Sequence, residues 1–165
     1  MRFPIILAIG FLLSAISMSA KDTVYRELPK DTIAHMERQR AFVSDLAQKN
    51  ALKHKRTGTA ADLDLLQEVL EKKLLKKEET WKLQSLGIVL GDAFIASNPG
   101  LHWMEVTDEW GTDPVLIYKD TTYQLNPLTM ISKRVEDGEE QPFVHTIAKA
   151  VLRGVAEDAE KTQKR

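Results

Sequence analysis

Residues 102–113, HWMEVTDEWGTD, hold the densest set of side chains able to do chemistry. Glu105, Asp108 and Glu109 could form a carboxylate cluster, one member kept protonated to act as a general acid with His102 beside it. The same oxygens suit a hard cation, although the regular ligand spacing of a calcium loop is absent. If residues 102–107 are a strand, His102, Met104 and Val106 face one way and Trp103, Glu105 and Thr107 the other. The plainer reading is a tight acidic turn, with Asp108 bonding its own backbone and Gly111 at positive φ. Trp81 and Trp103 read as core. Burial is expected of Trp110 too, against the polar turn around it, which argues for exposure and an interface.

Two further positions could serve a site. Asp92 lies in the apolar run LGIVLGDAFIA, where an ionised carboxylate needs a partner. Lys133, Arg134 or a loop N–H is the expected partner, and a shifted acid the alternative. Lys133-Arg134 reads as a surface pair or a ligand clamp. The basic run Lys53, His54, Lys55 and Arg56 reads as a solvated connector, an anion contact being the alternative.

Other chemistries leave no trace. There is no Walker loop, dinucleotide glycine fingerprint, metalloprotease helix motif or Gly-x-Ser-x-Gly elbow. The four histidines, His35, His54, His102 and His145, fall on separate elements, and there are no cysteines. No metal or cofactor site is therefore expected. A formal charge of −1 makes nucleic acid an unpromising partner.

The first residues, MRFPIILAIGFLLSAISMSA, read as a secretory signal peptide, with Arg2 before a short apolar core and cleavage after Ser19 or Ala20. That apolar core is short for a span of roughly 20 residues, so no stable membrane anchor is expected after cleavage. The expected location is periplasmic or secreted.

The elements that must position these residues follow from periodicity. Residues 20–58 read as a polar arm and a helix from Asp31 or Thr32 to about Asn50, with Ile33, Met36, Val43 and Leu46 inward and Arg38, Arg40 and Lys49 outward. Thr59 and Asp62 resemble a capping box before a helix with Leu63, Leu65, Leu66, Val69, Leu70 and Leu74 on its apolar face. A connector near Lys76 or Lys77 leads into a central helix from about Glu78 to Ser97. Gly87 and Gly91 lie on one face of that helix, which predicts a closely approaching element. Three short strands, His102–Thr107, Val115–Tyr118 and Thr122–Leu125, predict an antiparallel meander. A Pro127-started helix buries Leu128, Ile131 and Val135, and a last helix from near Pro142 buries Val144, Ile147, Ala148, Val151 and Val155. The polar tail, 158–165, should fray. The expected fold is α+β, a small three-stranded antiparallel sheet packed against several helices, with residues 59–157 as the domain proper.

The strings LGIVLGDAF, LHWMEVTDEWGTDP and NPLTMISKRVEDGE resemble a family of small bacterial proteins carrying a domain of unknown function, the one numbered 3806, over about residues 62–138. Trp103, Asp108, Glu109, Gly111, Pro127 and Ile131 to Glu136 carry the resemblance. The family pattern has Tyr before the Gly and Phe before the Pro, where this chain has Trp110 and Asn126. The resemblance implies bacterial origin and an α+β domain, and brings no activity or catalytic residue.

The expected function is an exported, non-enzymatic binding protein for a protein partner, an immunity or inhibitor protein being one version. Its binding residues are Trp103, Asp108, Glu109, Trp110, Asp92 and Arg134. The alternative is a small envelope hydrolase using Glu105, Asp108 or Glu109.

Overall fold

The structure, a computed structural model, describes residues 23–119, 121, 123–139 and 143–163. The signal-peptide reading, Pro142 and Thr122 lie outside the described residues.

The α+β architecture is present. Among the described residues, six helical segments pack with a four-stranded antiparallel sheet in the order β1-β2-β3-β4. Strand β1 (Val24–Arg26) comes from the polar arm and pairs with β2 (Leu101–Thr107), so the expected three-stranded sheet gains an edge strand. Three residues with no apolar alternation carry little strand signal of their own. Long-range bonds supply the rest: Tyr25 donates its hydroxyl to Gln124 at 2.7 Å, and Arg26 pairs with Glu105. Strand β3 (Thr112–Tyr118) pairs along the whole of β2, whereas β4 (Gln124–Leu125) covers only Leu116 and Ile117.

Helix α1 (Lys30–Lys49) is rotated relative to the expected stripe. Met36, Gln39, Val43 and Ala47 face inward, Ile33 is exposed and Leu46 only half-buried. Neither Asp31 nor Thr32 caps it. Pro29 stands at the cap position, and the Thr32 hydroxyl donates instead to Glu105 at 2.5 Å. Helix α2 (Asp62–Glu71) opens on a buried Asp62. Its carboxylate reaches back to the N–H groups of Thr57 and Gly58, while Thr59 Oγ1 accepts from Ala61 N–H.

Helix α3 (Thr80–Ser97) is the centre of the domain, buried almost continuously from Leu83 to Phe94. The close approach predicted by its glycines is made by α4 (Pro127–Met130) and by Trp103. A Cβ on Gly87 would sit 2.5 Å from the Pro127 carbonyl oxygen, and one on Gly91 would overlap the Trp103 ring. Beyond Ile131, which is fully buried, the chain continues as α5 (Ser132–Glu136). Helix α6 (Val144–Gln163) buries Val144, Ile147, Ala148, Val151 and Val155 as expected, and its backbone stays helical into the expected polar tail. Among the described residues no helix is long and apolar enough to cross a membrane.

Candidate functional site

The β2–β3 hairpin gives the site its most exposed member. Asp108 holds the turn: its Oδ1 accepts from Trp110 N–H at 2.8 Å and Gly111 N–H at 3.2 Å, and its own N–H donates to the Gly111 carbonyl. Gly111 has φ +143°, a conformation that side-chain-bearing residues rarely adopt. Trp110 stands at this tip 87% exposed, so the burial expected of it does not occur: the turn lies beyond the paired strands and no described element reaches over it. Trp81, also expected in the core, is 40% exposed on the outer side of α3 and packs edge-on against Phe42.

The three carboxylates do not act as one group. Glu105 is buried on the helix side of the sheet, its Oε1 accepting from Arg26 Nε at 2.6 Å and its Oε2 from Thr32. Asp108 is engaged by the turn, and Glu109 is exposed at its tip. His102 lies three positions from Glu105 in β2, hence on the opposite face. No three His, Asp or Glu residues among those described are grouped to hold a metal ion.

Asp92 finds its partner in α1, not in Lys133 or Arg134. Arg40 Nε and Nη2 donate to its two oxygens, each at 2.7 Å, and Trp103 Nε1 donates to Oδ1 at 3.1 Å. Arg40, expected outward, is therefore turned against α3, and its guanidinium pKa is raised chiefly by the bond to Asp92, despite the opposing effect of its burial. The bidentate pair ties α1, α3 and β2 together. Arg134 lies apart from it, donating to the Met130 carbonyl at 2.7 Å and facing the Phe143 ring. The basic run is likewise bound to the fold. The N–H groups of Lys53 and His54 both donate to Glu68, and Arg56 donates to Ser44.

Two depressions adjoin the outer edge of β3. One, of about 330 Å³, runs from Trp110 and Gly111 past Asp113, Pro114 and Asn126 to Lys133. The other, of about 250 Å³, lies between α1, α3 and the hairpin. Asp113, Pro114 and Leu128 border both, so the two lie side by side along β3. Sequence reasoning found the Trp110 end and missed the α1 side. Its members Thr32 and Gln39 are polar residues of α1 and Gln84 one of the largely buried α3, and only Gln39 carries a signal, standing where the apolar stripe of α1 should continue.

This is an α+β domain with a helix-packed sheet and an aromatic-tipped hairpin beside a groove. The chain belongs to the family of the domain of unknown function DUF3806, whose model matches residues 62–146. Its fold is similar to that of a Bacteroides thetaiotaomicron protein solved at 1.50 Å resolution, with a TM-score of 0.71 over 81% of this chain. At 16% identity that likeness concerns the fold alone, and this chain spans about half of the other, 48% of its length. No curated protein sequence matches.

Proposed function

We propose that this is an exported, non-enzymatic protein-binding module whose contact surface is the β2–β3 hairpin tip and the groove along β3. The observation that carries this reading is Trp110, 87% exposed on a turn pinned by Asp108. A large aromatic held in water at a fixed position can bury its area against a partner with little further loss of entropy, which is how interface anchors act. Asp108 is then a positioning residue, and Glu109 is a rim charge that steers encounter. Trp103 and Asp92 support the surface from within. Export rests on the leader-like composition of residues 1–20. An immunity or inhibitor protein facing a toxin in the envelope is one form such a module takes.

The uncovered part of β3 argues for recognition by side chains instead of strand addition. Tyr118 N–H donates outward to Tyr123, so by alternation Thr112, Pro114 and Leu116 also turn their backbone groups outward. Pro114 has no N–H to offer there, which closes the edge to a continuous added strand.

Crosslinked affinity capture from the native envelope, comparing wild type with Trp110→Ala, tests the proposal. One protein recovered by wild type and lost in the variant supports it. Equal recovery by both overturns the surface assignment, and a chain retained in the cytoplasm overturns the export reading.

A further inference from the structure

We propose that the 250 Å³ depression between α1, α3 and the hairpin is a subsite for a guanidinium or ammonium head carried on an apolar stem, namely an arginine or lysine side chain of the bound protein. The proposal rests on the binding reading above and specifies the chemistry of the partner.

Gln39 carries the argument. It lines the depression, is 1% exposed, and its Oε1 has no hydrogen-bond partner among the described residues. An unmet buried acceptor is destabilising, and a donor arriving from outside removes that penalty. The remaining polar wall is also rich in acceptors. Glu105 lines it too, its Oε1 paired with Arg26 and its Oε2 accepting from the hydroxyl of Thr32, itself part of the wall. Gln84 lines it with a half-buried amide, and Asp113, which has no ion-pair partner among the described residues, stands at the rim. His35 borders the depression but is turned to the Trp81 indole N–H at 3.4 Å. Such a wall complements a group with several N–H donors and positive charge.

Shape and size narrow the occupant further. Met36, Pro114 and Leu128 form the apolar part of the wall, which suits the methylene stem of a long basic side chain whose head reaches polar atoms. The volume, 250 Å³, lies below the roughly 300–1,000 Å³ of pockets that enclose a whole small-molecule ligand. One end of a longer ligand fits it, and the rest would continue over Asp113 and Pro114 into the groove that leads to Trp110.

The test uses Nα-acetyl-arginine methylamide as probe, with the norleucine analogue as control, titrated into isotope-labelled mature protein and followed by NMR. The expected result is saturable movement of the Gln39 and Gln84 side-chain amide signals with the arginine probe alone, with affinity about tenfold weaker in Gln39→Leu, as loss of a bond to a charged group implies. Absence of saturation in wild type, equal response to norleucine, or unchanged affinity in Gln39→Leu would each overturn the subsite. Free agmatine identifies the source. Binding equal to that of the blocked probe supports recognition of the side chain alone, and much tighter binding would mean a small-molecule amine site, overturning the protein-side-chain assignment. The titration needs no partner, so its failure leaves the Trp110 capture result standing, and a failed capture leaves the titration readable.

Discussion

Arg40 and Asp92, 52 positions apart, meet through two N–H···O bonds of 2.7 Å with their side chains only 14% and 15% exposed. The pair replaces apolar packing where α1 crosses α3, and Trp103 adds a third bond to the same carboxylate. Removing one partner leaves a largely buried charge without its bidentate partner, Asp92 keeping only the Trp103 bond and Arg40 only Glu37, so Arg40→Ala and Asp92→Ala should each cost about 3 kcal/mol. The Arg40→Met, Asp92→Leu double variant should lose much less than the sum of two single losses, because both charges leave together. Urea denaturation of the four proteins checks this, and full additivity would contradict it.

Gly87 and the Pro127 carbonyl make a second contact that a single methyl group reports. Alanine improves intrinsic helix propensity by about 1 kcal/mol. Here its Cβ would lie 2.5 Å from that oxygen and 2.8 Å from Leu128 Cα, both backbone atoms without rotamers to change. Overpacking of this kind costs about 1–3 kcal/mol and should outweigh the propensity gain. Gly87→Ala is therefore expected to be less stable than wild type by thermal unfolding.

This glycine pair was legible in the sequence because a helix face carrying two of them has few explanations other than close approach. The apolar run 83–97 and strand β2 were legible because their patterns are local, whereas β3 was read only from Val115, its first residues Thr112 to Pro114 being expected in the turn. Arg40 was not. A basic residue beside the apolar stripe of α1 reads as solvated unless the carboxylate that turns it inward is known, and Asp92 is set against it only by folding. Glu105 likewise gave no sign of its ties to Arg26 and Thr32, which come from two other elements. Strand β1 was lost because three residues of an edge strand are held by what they pair with. Trp110 was missed in the opposite sense: its size argued for burial, and its turn geometry prevailed.

Trp110 separates function from stability. A side chain 87% exposed should contribute little to the fold, so Trp110→Ala is expected to shift stability by no more than about 0.5 kcal/mol. Its fluorescence should carry a red-shifted component that acrylamide quenches readily and that disappears in the variant. Asp108→Ala should cost about 1 kcal/mol through the lost turn acceptor and broaden the same emission. A blue-shifted, unquenched Trp110 would mean that the hairpin tip is covered in solution.

Glu68 sets the acid limit of the connector between α1 and α2. The backbone N–H of His54, then that of Lys53 and the His54 ring, hold its carboxyl below the ordinary carboxylate range, outweighing the opposing effect of burial. A carboxyl depressed in the folded state stabilises the fold fully above its unfolded-state pKa. That contribution fades as pH falls through the lower, folded-state value, because the protonated group accepts these bonds more weakly. Wild type should therefore lose stability between the ordinary carboxylate range and the lowered one, and Glu68→Gln, which cannot titrate, should start less stable at neutral pH and decline less over that interval. Denaturant midpoints measured from neutral to acid pH for both proteins check the prediction. Parallel curves would show that these N–H bonds do not discriminate between the two protonation states.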